Sequence, residues 1–174
     1  LRARGLARPA AERALAEVPL ALHQTERRVI VSLEPAGDQQ LFLYPQSHEV
    51  DLDILVPRRT HLAVTVDNGD VLVRGVEGRL RLTSDNGQLA LSEVAGQLIL
   101  RSDDGAIRVS GARAALDVRT DNGSVSFAGV LTGARNEVVT DNGNVQLWLP
   151  ADARLRVEAR TDRGALRAGL PLQG

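Results

Sequence analysis

The chain has 174 residues, a length that suits one domain with or without a short appendage. Its formal charge of −1 argues against nucleic-acid binding, which needs a basic surface, and the absence of Cys excludes disulfides and thiol chemistry. Two Phe, one Tyr and one Trp are the aromatic residues, so Val, Leu, Ile and Ala must form the core. No apolar run of about 18 residues occurs, and we expect no membrane span in this chain.

Residues 1–24 have the pattern of a short helix. Pro9 suits a first helical turn, where a missing N–H is tolerated, and Leu15, Val18 and Leu22 follow at three- and four-residue spacing. We therefore predict an N-terminal helical segment that covers one end of the domain. Because the chain begins at Leu1 without Met, we also expect it to be a fragment or a processed product.

Residues 25–61 alternate between apolar and polar side chains, which predicts a short β region that leads into the rest of the domain and caps it. Its strands end near Pro45 and Pro57, where a missing N–H is tolerated. The apolar positions of the three predicted strands are Val29, Val31 and Leu33, then Leu41 and Leu43, then Val50, Leu52, Ile54 and Val56.

Residues 62–174 repeat the motif Asp-Asn-Gly, and this repeat decides the predicted fold. The motifs begin at positions 67, 85, 103, 121, 141 and 162, so the gaps are 18, 18, 18, 20 and 21; the third is Asp-Asp-Gly and the sixth Asp-Arg-Gly. The predicted structural turn residues are Asp67, Asn68, Gly69, Asn86, Gly87, Gly105, Asn122, Gly123, Asn142 and Gly143.

Apolar residues two apart flank each turn, which is the strand period, and equivalent residues recur at the fixed interval. The sequence therefore predicts an all-β protein, a single-chain parallel β-solenoid or β-helix with coils of about 18 residues. An antiparallel meander is the alternative, because Asn-Gly also suits two-residue hairpins. In the solenoid, we expect Leu82, Leu100 and Val118 to stack as one buried column.

Stacked turns would align the aspartates in a ladder, and their mutual repulsion must be offset. The favoured interpretation is an Asx turn, in which each Asp side chain accepts the N–H of the Gly two residues on, with Asn side chains bonded from coil to coil. Gly123 is expected to need positive φ. The alternative is a bridging cation such as Ca²⁺, although the Gly-rich nonapeptide of calcium-binding solenoids is missing. The candidate ligands are Asp85, Asp103, Asp104 and Asp121.

No pattern of catalytic residues is found, so we predict neither an enzyme nor a cofactor site. His23, His48 and His61 lack ligand spacing. The serines of the repeats are interpreted as strand-surface or corner residues. Outward positions form two flat faces with scattered Arg, and a contact surface is predicted at Arg101, Arg119, Arg108 and Trp148.

The stretch from Val56-Pro57 to Gly169 resembles a bacterial domain family of unknown function that carries an adhesin label. The resemblance lies in a Val-Pro start, in units in which Thr precedes a Gly-x-Val, such as Thr65 before Gly69 to Val71, and in G-x-L units such as Gly78 to Leu80. It implies a β-solenoid-like fold, a setting in the bacterial cell envelope or outside the cell, and no catalytic residues.

The leading functional hypothesis is a non-catalytic, envelope-associated scaffold or recognition module. Its partners could be a protein, an envelope polymer, a glycan or lipid headgroups. The first alternative is a structural protein that polymerises end to end, because a solenoid has two open ends and no capping element is visible at the C-terminal one. The second alternative, a polysaccharide-active β-helix enzyme, lacks a distinct acidic cluster.

Overall fold

The computed structural model describes residues 2–4, 20–24, 29–33, 49–51, 53–133, 135–150 and 157–169. The chain divides into two compact units, residues 1–55 and 56–174. Within the described residues, every regular element is a β-strand, so the all-β prediction is confirmed there.

The first unit contains two antiparallel strand pairs. Strand β2 (Leu20–Gln24) pairs with β3 (Val29–Leu33), and β1 (Arg2–Arg4) pairs with β4 (Glu49–Asp51). Leu22, which we expected on a helix, lies in β2 opposite Val31 of β3, so the predicted helix is wrong at that position. The β-branched run of β3 favours strand pairing, which overrides the helical spacing.

The residues predicted as the third strand of the β region are only partly extended. Val50 lies in β4, but the strand ends at Asp51, and neither Ile54 nor Val56 belongs to a strand. Leu55 is fully exposed, and none of the strands that the structure describes pairs with residues 53–57. The strand predicted around positions 41 and 43, and the helix predicted over positions 9–18, lie outside the described residues.

The second unit is a parallel β-solenoid of about six coils, which confirms the favoured topology over the meander. Each coil contains one strand before the Asp-Asn-Gly turn and one after it. The strands are β5 (Leu62–Asn68), β6 (Val71–Arg74), β7 (Glu77–Asn86), β8 (Leu89–Ser92), β9 (Ala95–Asp104), β10 (Ile107–Asn122), β11 (Val125–Leu131), β12 (Asn136–Asn142), β13 (Val145–Trp148), β14 (Val157–Arg163) and β15 (Leu166–Gly169).

Two parallel sheets run along the solenoid. The pre-turn sheet contains, in spatial order, β5, β7, β9, the second half of β10, β12 and β14. The post-turn sheet contains β6, β8, the first part of β10, β11, β13 and β15. Because β10 crosses the corner without a break, it belongs to both sheets. We call the outer surfaces of these sheets the pre-turn face and the post-turn face.

The core is a set of columns in which each coil contributes an equivalent apolar residue. Leu82, Leu100 and Val118 are aligned in register and are 0%, 0% and 1% exposed, so the predicted buried column is confirmed. A fully buried aliphatic side chain contributes about 1.5–3 kcal/mol, so the stacked columns supply most of the stabilisation. Phe127 is the one aromatic residue among the buried core residues that the structure describes.

One column is interrupted by a polar residue. Asn136 lies in register with Leu116 and is fully buried, and its Oδ1 accepts the amide N–H of Leu116 at 2.9 Å. The coil before it is 20 residues long rather than 18, and the backbone ladder between β10 and β12 begins only at Glu137. The Asn136 side chain thus supplies the hydrogen-bond acceptor for the Leu116 N–H at a point where, because of the longer corner, the backbone ladder has not yet begun.

Candidate functional site: the turn edge and the two outer faces

The turn edge is held by a ladder of Asn side chains. Nδ2 of Asn86 donates to Oδ1 of Asn68 at 3.1 Å, and Nδ2 of Asn142 donates to Oδ1 of Asn122 at 2.9 Å. Asn122 in turn donates to the Asp104 carboxylate at 2.8 Å. Each donor points to the preceding coil, so the predicted coil-to-coil bonding of these side chains is confirmed.

The Asx-turn interpretation is wrong at most of the turns. The N–H groups of Gly69, Gly87 and Gly105 donate to backbone carbonyls of the following coil, at 2.9, 3.1 and 3.2 Å, and Gly143 does the same. These donors are therefore part of the parallel ladder, which extends through the turn. Backbone pairing between coils leaves no need for an Asp side chain to satisfy the Gly N–H.

Apart from Gly69, where an added Cβ would have no atom within 4 Å, the turn glycines are required by close contact between coils. A Cβ added to Gly123 would overlap the carbonyl oxygen of Gly105 and would lie 2.8 Å from its carbonyl carbon. Gly87 and Gly143 show the same contact with the turn glycine of the coil before. Gly123 does not have positive φ, so the predicted reason for this glycine is wrong although its importance stands.

A row of hydroxyl side chains lies beneath the turns, inside the solenoid. Oγ1 of Thr140 and Oγ1 of Thr161 each donate to the carbonyl of the turn glycine in the preceding coil, both at 2.9 Å. Ser84 and Ser102 occupy the same row, are buried, and have no hydrogen-bond partner for Oγ among the described residues. Of the two predicted settings, strand surface or corner, the surface is therefore wrong for these two serines, which are buried directly before the turn.

The first Asp of each turn is exposed, and these side chains form a column along the turn edge. Within the described ranges, no three His, Asp or Glu side chains come together as a metal site, so the Ca²⁺ hypothesis for Asp85, Asp103, Asp104 and Asp121 gains no support. The imidazole of His61 has a structural role, since its Nδ1 accepts the N–H of Arg79 at 3.0 Å.

The pre-turn face is densely charged. Arg101 forms an ion pair with Asp117 at 2.8 Å, and its guanidinium also donates to the carbonyls of Leu100 and Asp117. Exposed pairs of this kind contribute at most about 1 kcal/mol, but they occupy the side chain. Arg119 on the same face is exposed and has no ion-pair partner among the described residues.

The post-turn face has a different chemistry. Most of its outward positions carry uncharged side chains, half of all the positions being Ala, Ser or Gly, and Trp148 is 48% exposed among them. Its three Arg side chains outnumber its single carboxylate, Asp70. In register order along the solenoid, the outward positions are Asp70, Leu72 and Arg74; Gln88, Ala90 and Ser92; Ala106, Arg108 and Ser110; Ser124, Ser126 and Ala128; Asn144, Gln146 and Trp148; and Ala165, Arg167 and Gly169.

The four residues predicted to share a contact surface are divided between the two faces. Arg101 and Arg119 lie on the pre-turn face, whereas Arg108 and Trp148 lie on the post-turn face. The turn between the sheets separates these pairs, so they cannot bind one ligand together as a flat site. The sequence did not single out Arg167, which is a neighbour of Trp148 on its face.

The fold and its two faces define a repetitive β-solenoid, and its described residues contain no cluster of three metal-ligating side chains. The chain belongs to the Toastrack DUF4097 family, a family of unknown function whose sequence model matches residues 43–173. Searches of curated proteins and of solved structures found no match. Of the residues that the structure describes, none forms a helix long and apolar enough to cross a membrane.

Proposed function

We propose that this chain is a non-catalytic recognition scaffold of the bacterial cell envelope and that it binds its ligand through the post-turn face. The observation that carries the proposal is the half-exposed Trp148 on a face of mostly uncharged side chains. Trp is enriched at binding interfaces, where its large ring contributes much of the binding energy. The envelope setting rests on the resemblance of the repeats to adhesin-labelled bacterial domains.

The rigidity of the solenoid supports a role in recognition. The parallel ladder, the Asn side-chain ladder and the close contact of the turn glycines fix the spacing between coils. Side chains on regular strands are held more firmly than side chains on loops, so the face presents its groups in a fixed pattern. On the pre-turn face, by contrast, Arg101 and Asp117 satisfy each other.

Co-sedimentation with a purified bacterial envelope fraction tests this proposal. The wild-type protein is expected to pellet with the envelope, and Trp148→Ala is expected to reduce the bound fraction strongly. Arg119→Gln serves as the matched control, since Arg119 is exposed on the opposite face. No pelleting of the wild type, or equal losses for both variants, would contradict recognition through the post-turn face.

End-to-end assembly is a second candidate, favoured by the last coil. Leu166 occupies an inward position in the column of Val125 and Val145, which are buried, yet it is 50% exposed. A second copy stacked on this coil would cover it and would pair the edge of its strands. Sedimentation velocity over a concentration series is expected to show oligomers that Leu166→Glu removes; a monomer at every concentration would rule this candidate out.

A further inference from the structure

A small surface around Trp148 combines stacking, hydrogen-bonding and charged groups. Neighbouring coils are about 4.8 Å apart, and outward residues two apart on one strand are about 7 Å apart. The surface is therefore roughly 10 Å along the solenoid and 7 Å across. We call it the Trp148 patch, and it consists of Ser126, Gln146 and Arg167 in one row and Ala128, Trp148 and Gly169 in the next.

The neighbours of Trp148 leave its ring accessible. Ala128 precedes it in register and Gly169 follows it, so neither flanking coil carries a side chain larger than a methyl group. The position of a Cβ on Gly169 lies 3.1 Å from Cδ1 of the indole and 3.5 Å from Nε1. The pyrrole edge thus lies across the last coil, and the ring forms an apolar platform on a flat sheet.

Arg167 supplies the charge of the patch. It is exposed and has no hydrogen-bond partner among the described residues, whereas Arg74 donates to Ser92 and Arg108 donates to Gln88. The post-turn positions of the last three coils carry no carboxylate, so no described residue on this part of the face neutralises the guanidinium. The patch is therefore complementary to a single negative group held beside an apolar surface.

The side chains of Gln146 and Ser126, in the same row as Arg167, are also available to bind a ligand. No described residue hydrogen-bonds the amide of Gln146 or the hydroxyl of Ser126, although both are half-buried and held in register. By contrast, Asn144 and Ser124, in the neighbouring row next to the turn, accept backbone N–H groups of the following coil. Available hydroxyl and amide groups suit a ligand with several hydroxyls of its own.

We propose that the Trp148 patch binds a saccharide that carries a carboxylate, such as a hexuronic acid unit, an inference that rests on the recognition function proposed above. The C–H face of the sugar ring packs on the indole, whose π-face is electronegative. The carboxylate pairs with Arg167 through two parallel N–H···O bonds, and the sugar hydroxyls bond to Gln146 and Ser126.

Two other ligands fit the patch less well. A lipid surface needs a larger apolar contact, but the exposed large apolar residues of the post-turn strands are few and scattered: Leu72 lies four coils from Trp148, and Val130 is the one such residue in the coil before Trp148. Single-stranded nucleic acid needs successive aromatic platforms and a basic groove, and Trp148 is the sole aromatic residue on this face.

Tryptophan fluorescence tests the proposal directly, because the chain contains one Trp and the signal therefore reports Trp148 alone. The probes are a short oligogalacturonate and the same oligosaccharide with its carboxyls methyl-esterified. We expect a saturable spectral change with the acid and binding at least about tenfold weaker with the ester, because loss of a charge-assisted pair has that effect. No saturable change with the acid, or equal binding of both probes, would overturn the proposal.

Variants show which groups are responsible. Arg167→Gln is expected to weaken binding of the acid at least about tenfold, and Arg119→Gln on the pre-turn face to leave it unchanged. Trp148→Ala, followed by calorimetry, is expected to abolish binding while the circular dichroism spectrum and urea midpoint stay the same. Equal effects of the two Arg variants would show that only general charge is involved, and the proposal would then be wrong.

Two further experiments distinguish a failure of this inference from a failure of the proposed function. A spectral change with phosphatidylglycerol vesicles, together with none for oligogalacturonate, would overturn the saccharide in favour of a lipid surface. Envelope co-sedimentation that depends on Trp148 but persists in Arg167→Gln would overturn the acidic saccharide and leave the recognition function intact. Binding of oligogalacturonate without any envelope binding would support the patch and refute the envelope setting.

Discussion

Replacing Gly123 by Ala tests whether the coils are as closely stacked as the turn geometry indicates. The new Cβ would lie 2.8 Å from the carbonyl carbon of Gly105 and 2.8 Å from Oγ1 of Thr120, and it would overlap the Gly105 oxygen. Carbon atoms in good contact are about 3.5–4.0 Å apart, so the two coils must separate locally by about 1 Å. The backbone atoms of Gly105 cannot move aside as a flexible side chain could.

The expected cost results from that separation. The hydrogen bonds that join the coils at this turn include two next to the new Cβ, from the Gly105 N–H to the Asn122 carbonyl at 3.2 Å and from the Asn122 amide to Asp104 at 2.8 Å. Losing both hydrogen bonds costs roughly 1–3 kcal/mol, and overpacking costs about 1–3 kcal/mol more. The lower conformational entropy of the unfolded chain with Ala offsets about 0.4–1 kcal/mol of this destabilisation. We expect a net destabilisation of about 3 kcal/mol.

Urea unfolding followed by circular dichroism measures this change, which should lower the midpoint by roughly 1–2 M at an ordinary m value. Gly169→Ala is the matched control, because Gly169 also lacks positive φ and its nearest neighbour is the exposed side chain of Trp148, which can move. Its midpoint should change little. Equal and small effects of both substitutions would show that the turns are not in close contact.

Three further predictions concern polar groups that the turns and corners depend on. Thr140→Val should cost about 1 kcal/mol in urea unfolding because a turn carbonyl loses its hydroxyl donor, while Thr140→Ser should cost less; the reverse order would refute the bond. Asp104→Asn should stabilise by about 0.5–1 kcal/mol, since the new amide can donate to Asn86; a lower urea midpoint would count against the ladder. Asn136→Leu should destabilise by about 1–3 kcal/mol despite matching its column, because the Leu116 N–H loses its acceptor, and a gain in thermal stability would contradict this role.

The repeat period was sufficient to predict the solenoid and its apolar columns. Leu82, Leu100 and Val118 are equivalent in the repeat, and stacking them in register buries all three, as predicted. The same period placed Asn68 and Asn86 one above the other, which made their side-chain bond predictable. Regular spacing carries this information because each coil contacts only its neighbours.

The polar interior and the chemistry of the turns could not be predicted in the same way. Ser84 and Ser102 continue the inward alternation of Leu82 and Leu100, but their polarity favours a surface position, and the strand period alone does not decide between the two. Positive φ and close contact both select glycine, so the sequence alone could not separate these causes at Gly123. At Leu22 the local pattern predicted a helix, but pairing with a partner strand, which the local pattern does not show, overrides it.

The candidate contact residues were identified only in part. An outward position is predictable from the strand period, which was enough to place Trp148 on an outer face. Which Arg side chains remain available depends on neighbours in adjacent coils, and only the structure shows that Arg101 is engaged by Asp117. For the same reason, the combination of Trp148 with Arg167 is visible only when the coils are stacked.

A distance between two spin labels on the pre-turn face tests the parallel solenoid most directly, and the absence of native Cys makes the labelling specific. Thr65 and Arg160 are exposed, occupy the same column and lie five coils apart, so labels at these positions should be about 24 Å apart. In an antiparallel meander, pre-turn and post-turn strands would alternate in one sheet and the labels would be about 48 Å apart. Double electron–electron resonance on the double Cys variant distinguishes the two. A distance near 24 Å would confirm the stacked coils on which the post-turn face depends, and one near 48 Å would contradict them.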